Sequence, residues 1–361
     1  MAYKMIQVGT GGRGNGWCRR DLPPVIEEGL VEPVAAVDIN PMVLVNAREG
    51  LGLRADQCYT DIHKAFDENR ADFCTVVVPP AFHEEVVDVA LAHDMHILSE
   101  KPIADSLTAS VRIADKVKRA GKKMGVTMNH RFDQDKTTLR HELQSGRYGT
   151  LDYLVCRFTD DCRRFGDWGA LFRHQIPDPL MIEGSVHHLD FLADMAGARC
   201  ETLYAHTWNP AWGEYGGDSQ GLVMMHFENG VKAFYEGAQS NSVGLNGWRQ
   251  EYIRAECERA TLILSHRRLE RFLHDPSQKQ GNQLDRQGEE VPLLQQPAWS
   301  EVWLIQQFVS WLDGGHPMAT NVEDNLQSIA LIFSAIESSR TGEPVQVQEL
   351  LAKTVQVIEA A

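Results

Sequence analysis

A chain of 361 residues is too long for one ordinary hydrophobic core, so two domains are expected. Its composition, 43% hydrophobic and 24% charged, is that of a globular protein, and a net charge of −15 argues against a general nucleic-acid binder. Seven scattered cysteines, odd in number and without a Cys-x-x-Cys pair, suit free thiols in a reducing compartment. No export segment precedes the first strand and no apolar run approaches a membrane span, so a cytoplasmic location without a membrane partner is expected.

The first third alternates short apolar strands with helical patterns. Strands are expected at Lys4–Val8, Pro33–Val37, Cys58–Thr60, Phe73–Val78, His96–Ser99 and Met124–Met128. Helices are expected at Ile62–Asn69, Glu84–His93 and Leu107–Ala120, the last capped by Ser106 and stopped by Gly121. Pro23-Pro24 should break the first helix, since proline removes a donor and clashes with the preceding turn. This alternation predicts an α/β fold opening with a doubly wound parallel sheet, a Rossmann domain over residues 1–128.

The pattern changes beyond that point. A helix at Thr137–Gln144 and a strand at Leu151–Phe158 lead into a long polar and aromatic loop, Thr159–Leu180, and then a helix from near Glu183. Strands follow at Thr202–Thr207, Gly221–Phe227, Val231–Ala238, Gln250–Glu256 and Ala260–Ser265, with Asn229-Gly230 as a hairpin turn. The polar stretch 275–290 reads as a surface loop, and helices close the chain at Ser300–Leu312 and Val322–Ser338. Residues 129–361 are therefore expected to form an α+β domain on a mainly antiparallel open sheet, binding substrate and mediating oligomerisation.

The turn after the first strand, Gly9-Thr10-Gly11-Gly12-Arg13-Gly14, suits a phosphate cradle at a helix N-terminus. Gly9 permits the turn, Gly11 admits a pyrophosphate and Gly14 allows close packing of the helix on the strand. Asp38 ends the second strand where an acid would bond an adenosine ribose, which favours NAD over NADP. Arg13 complicates that preference, because a nearby cation attracts a 2′-phosphate; the other reading is a solvent-facing side chain or a bond at the adenosine end.

The whole pattern resembles the Gfo/Idh/MocA family of NAD(P)-dependent oxidoreductases. The resemblance rests on the glycine turn, Val78-Pro79-Pro80-Ala81-Phe82-His83, Glu100-Lys101-Pro102, Asn129-His130-Arg131-Phe132 and the helix bearing His187. It implies that Gly9, Gly11, Gly12, Arg13, Gly14, Asp38, Pro79, Pro80, His83, Glu100, Lys101 and Asn129 form the cofactor site. It also implies catalytic roles for Lys101 and His187 at the reacting hydroxyl. Glu183 stands where the family more often has aspartate. As it precedes His187 by one helical turn, both are expected on one face.

Oxidation of an alcohol needs removal of its proton, which a histidine can accept near neutral pH, and stabilisation of developing alkoxide, which a charged lysine supplies. His188 is an adjacent competitor for the first role. Arg131, Arg163, Trp168, Arg173, Glu183, His187, His188, Trp248 and Arg249, with Lys101, are the candidate substrate contacts. The 14 histidines form no His-Glu-x-x-His or cysteine-bearing pattern, so no metal is expected. The resulting expectation is an NAD-dependent dehydrogenase of a sugar, polyol or related cyclic alcohol, forming a homodimer or homotetramer. Two alternatives are a glycosidase or lyase that oxidises its sugar transiently, and a non-catalytic nucleotide sensor.

Overall fold

The computed structural model describes residues 2–277 and 287–360. It divides into two compact units. One comprises Met1–Asn129, Ala298–Ile329 and Leu351–Ala361, and the other His130–Pro297 and Ala330–Leu350. This differs from the single cut expected after residue 128. Part of the C-terminal helical region belongs with the first unit because it packs there: Lys123 Nζ donates to the Trp311 carbonyl and Thr320 Oγ1 to the Val126 carbonyl, both at 2.6 Å.

The first unit is built on six parallel strands: β1 (Tyr3–Val8), β2 (Val31–Val37), β3 (Cys58–Tyr59), β4 (Phe73–Val76), β5 (His96–Ser99) and β6 (Met124–Val126). Their order is β3-β2-β1-β4-β5-β6, so the direction of winding reverses between β1 and β4. Met5, Ile6, Phe73, Cys74 and Ile97 are fully buried, as expected for strands covered on both faces. The helix Leu107–Arg119 begins at Ser106, whose Oγ accepts from Ala109 N at 3.2 Å. At Pro23-Pro24 the expected break occurs: a π-helical turn, Trp17–Asp21, gives way to a new helix, Pro23–Glu27, with proline in its first turn.

Among the described residues, the second unit carries nine strands: β7 (Leu151–Thr159), β8 (Cys200–Trp208), β9 (Gln220–Phe227), β10 (Lys232–Ala238), β11 (Tyr252–Cys257), β12 (Ala260–Ser265), β13 (Arg268–Leu273), β14 (Glu289–Glu290) and β15 (Val345–Gln346). All neighbours pair antiparallel except β7 and β10. Alternation along β8 and β9 buries Leu203, Ala205, Val223 and Met225 while exposing Tyr204 and Met224. In the Asn229-Gly230 hairpin, Gly230 takes φ +85° and Asn229 Oδ1 accepts from Val231 N.

Several elements differ from expectation. β13 lies where no strand was expected, because its mixed sequence Arg-Leu-Glu-Arg-Phe-Leu hides the alternation. Glu289 and Glu290, assigned to a surface loop, pair with β13 instead; residues 278–286 of that stretch lie outside the described residues. A further helix, Val347–Glu359, follows β15. Among the described residues, no helix is long and apolar enough to cross a membrane.

Helices His83–Ala92 and Leu107–Arg119 of the first unit are joined by Glu84, which accepts from Arg112 at 2.9 and 2.7 Å and from Lys116 at 3.0 Å. The Arg112 bonds, aided by Lys116, lower the Glu84 pKa from 4.5 to about 2. Glu84→Gln should cost about 1 kcal/mol at pH 7. Since the folded pKa is depressed, the wild type's advantage should be full above about pH 4.5 and disappear as the pH falls through 2. Urea denaturation of both proteins at pH 7 and pH 3 measures it.

Candidate active site

The glycine turn sits at the carboxyl end of β1, beside the point where the sheet reverses its winding. Gly9 has φ +88°, and a Cβ there would lie 2.1 Å from the Val77 carbonyl oxygen. A Cβ on Gly14 would lie 2.3 Å from the Gly9 carbonyl oxygen. Neither position can carry a side chain, so the helical segment from Arg13 starts directly against the turn. Asp38 closes the structure from β2: its carboxylate accepts from Thr10 N at 2.8 Å, Gly11 N at 3.1 Å and Asn40 N at 2.9 Å.

Arg13 does not face solvent as a loose cation. Its guanidinium meets Asp21 at 2.8 Å, Glu100 at 2.9 Å and Glu301 at 2.8 Å. Burial works against its charge, but these three carboxylates outweigh it and raise the Arg13 pKa. A guanidinium enclosed this way is a poor lure for a 2′-phosphate. Glu100 Oε1 also accepts from Trp17 Nε1 at 2.7 Å, and Asn129 donates to Glu301 at 2.8 Å. Trp17, Asp21 and Glu301 were not singled out from sequence; Glu301 is distant along the chain and no spacing marks it. Lys101 follows β5, with its backbone N–H 3.3 Å from Glu100 Oε2. His83 is fully buried, one ring nitrogen against the Val78 carbonyl at 2.8 Å and the other against that of Ile103 at 3.2 Å. It braces the turn Pro80–Phe82 that begins with Pro79-Pro80.

In the second unit the candidate histidines lie on the helix Val186–Ala196. Glu183 belongs to the preceding π-helical turn, Leu180–Ser185, so the expected single α-helical turn between Glu183 and His187 does not form. Glu183 accepts from Arg173 Nε at 2.9 Å, and Arg173 also lies over the Trp168 ring at 5.6 Å. His187 stacks on His130 with ring centroids 4.3 Å apart and meets Trp248 edge-on at 6.0 Å. His188 is enclosed, stacked on Phe158 at 4.5 Å, with Nδ1 2.9 Å from Tyr235 Oη. Burial lowers the His188 pKa to about 4, which keeps that ring neutral at ordinary pH.

The other arginines proposed as substrate contacts have internal partners. Arg131 binds Asp190 with two nitrogens, Arg163 meets Asp161 at 2.7 Å and Arg249 lies 3.6 Å from Asp133. Arg163 and Asp161 line a shallow cavity with Arg164, Asp167 and Ser242. Trp168 is 7% exposed and stacks with Trp248 at 6.4 Å.

Two family profiles match this chain. Residues 6–129 match the oxidoreductase family with an NAD-binding Rossmann fold, and residues 137–263 match the GFO/IDH/MocA C-terminal domain. The chain belongs to the GFO/IDH/MocA oxidoreductase family. It is 51% identical to the uncharacterized protein y4oX of Sinorhizobium fredii, over 97% of each chain. It is 23% identical to a scyllo-inositol 2-dehydrogenase (NAD(+)) of Bacillus subtilis, over 81% of this chain and 83% of that one. Its fold matches an oxidoreductase from Agrobacterium radiobacter, solved with NAD+, L-tartaric acid and magnesium, with TM-score 0.82 and 18% identity over 97% and 100% of the two chains.

The protein is an NAD-binding oxidoreductase, and its own residues fit that cofactor. Side chains are excluded at Gly9 and Gly14, leaving bare backbone at the turn, and the Asp38 carboxylate, which accepts from the turn's own N–H groups, stands beside it. Asp38→Ala should therefore weaken NAD binding about 10- to 100-fold, from loss of one or two hydrogen bonds and of the turn's brace. NADP binding should fall less. Fluorescence titration with each dinucleotide checks both expectations.

Proposed function

We propose that the protein is an NAD-dependent dehydrogenase of a sugar, polyol or related cyclic alcohol, with Lys101 and His187 acting at the reacting hydroxyl. The observation that carries this reading is Glu100-Lys101-Pro102 at the carboxyl end of β5, in an NAD-binding family with a relative named scyllo-inositol 2-dehydrogenase. NAD, when bound, accepts a hydride. His187 takes the hydroxyl proton and the Lys101 ammonium stabilises the oxygen as it gains negative charge. The choice of His187 over its neighbour is supported by burial: His188 is wholly enclosed, whereas His187 retains 6% exposure.

Screening NAD reduction across inositols, monosaccharides and simple glycosides tests the substrate class. Release of aglycone from a glycoside without accumulation of NADH would replace this reading with transient oxidation by a glycosidase or lyase. On the substrate so identified, Lys101→Ala and His187→Ala should each lower turnover ~100- to 10,000-fold with NAD affinity largely kept. Their combined loss should be less than multiplicative. Normal turnover in Lys101→Ala would overturn the assignment.

We further propose that a second copy of the chain covers the outer face of the second unit's sheet. Tyr204, Met224 and Phe234 lie side by side in register across β8, β9 and β10 and are 43%, 60% and 38% exposed. A row of large apolar side chains of this kind favours a symmetric partner. Light scattering should give a dimer or tetramer, and Met224→Asp should shift it toward monomer. A wild-type mass of 40.6 kDa across a concentration series would refute the interface.

A further inference from the structure

Three ring and carboxylate groups from separate parts of the second unit converge away from any short motif. His130 lies in the turn Asn129–Phe132, His188 on the helix Val186–Ala196, and Glu251 immediately before β11. One ring nitrogen each of His130 and His188 and a Glu251 carboxylate oxygen all lie within 4.8 Å of one another. Glu251 Oε1 is 3.5 Å from the first nitrogen and 3.4 Å from the second. Neither nitrogen makes a hydrogen bond, although both are buried. Unbonded buried ring nitrogens aimed at one carboxylate oxygen are costly unless something sits among them.

The spacing identifies what fits. A tetrahedral ion with bonds of about 2.0–2.1 Å separates its ligand atoms by about 3.3–3.4 Å. That is close to both distances from Glu251 Oε1, and too long for good direct hydrogen bonds. We propose that His130 Nδ1, His188 Nε2 and Glu251 Oε1 bind one divalent transition-metal ion, zinc or a metal of like coordination, with a fourth position left for a non-protein ligand. Two imidazoles and a single carboxylate disfavour magnesium and calcium, which seek oxygen.

The surroundings orient the ligands. Tyr235 Oη lies between His188 Nδ1 at 2.9 Å and Ser185 Oγ at 3.0 Å, so a proton held on Nδ1 leaves the Nε2 lone pair facing the other ligands. Lys136 Nζ meets Glu251 Oε2 at 2.9 Å, while Oε1, which accepts one hydrogen bond from Arg249 N at 3.1 Å, keeps a second lone pair for the side where the two rings lie. Charge points the same way. Lys136 is 1% exposed and faces Glu251, Asp133 and Asp135, an excess of carboxylates that a divalent cation would neutralise within the buried cluster. Arg249 meets Asp133 from a more exposed position. His187 ligates nothing in this arrangement; its ring stacks on His130, so the ion would fix the ring against which the proposed acid/base packs.

The inference does not rest on the dehydrogenase reading, because occupancy is read without turnover. Full-length protein, purified without chelator, should carry about one equivalent of metal by elemental mass spectrometry. After stripping, titration with Co²⁺ should give saturable binding at one ion per chain, with the visible d–d bands of a tetrahedral site, and Zn²⁺ should displace it. His130→Phe keeps a ring to stack on His187 and should abolish saturable binding; His188→Phe should do the same. Tyr235→Phe should weaken Co²⁺ binding ~10- to 100-fold by freeing the His188 ring. Retained NAD affinity and thermal unfolding report that each variant is folded. Absence of saturable Co²⁺ uptake by the wild type, or wild-type uptake by folded His130→Phe and His188→Phe, would overturn the proposal.

Discussion

The first unit depends on a half-buried cation. Arg13, the first residue of the helical segment at the glycine turn, reaches Asp21 at the end of the π-helical turn, Glu100 at the end of β5 and Glu301 at the start of the helix Ser300–Leu312. These parts are far apart in the chain, and none has a short-range reason to meet the others. A guanidinium suits the task because it carries several donors in a fixed planar fork and does not deprotonate. The carboxylates would repel one another if it were removed, and Glu100 and Glu301 would keep only their neutral donors Trp17 and Asn129 in place of a shared cation. The position of the glycine turn relative to the Glu-Lys-Pro strand end is therefore an electrostatic matter as much as one of backbone packing.

The second unit is organised by rings. His187 lies on His130, His188 on Phe158, and Trp248 touches all four. Adjacent histidines on one helix thus acquire different characters. His188 is desolvated and held by Tyr235, while His187 stacks at the edge of the cluster. The π-helical turn before them contributes, because its extra residue per turn alters the direction in which Glu183 and His187 leave the backbone. Glu183 reaches Arg173, and Arg173 in turn covers Trp168, so the long loop is tied to this helix through charge and ring contacts.

Much of the fold was legible beforehand. The strand His96–Ser99, the strand Ala260–Ser265 and the helix Ser300–Leu312 stand where their periodicity places them, and Ser106 caps its helix as its position suggests. These are cases in which local preference and tertiary packing agree. β13 was missed because its charged residues obscure the alternation, and β15 because two residues carry no period. The division into compact units differs from a single cut for another reason: sequence position does not reveal that the segment 298–329 packs back beside β6.

By itself the sequence determined the parts that depend on neighbours along the chain. These are the strand–helix alternation, the glycines that tolerate no Cβ, the acid after β2, the Glu-Lys-Pro element and the hairpin at Asn229-Gly230. Each follows from steric or hydrogen-bonding demands within a few residues. Only the tertiary structure decided how the ionisable groups are used. It turned Arg13 inward and gave Arg131 to Asp190 and Arg173 to Glu183. It also brought His130, His188 and Glu251 together. Charge and coordination act through space, so residues with no common motif become one chemical group once the chain has folded.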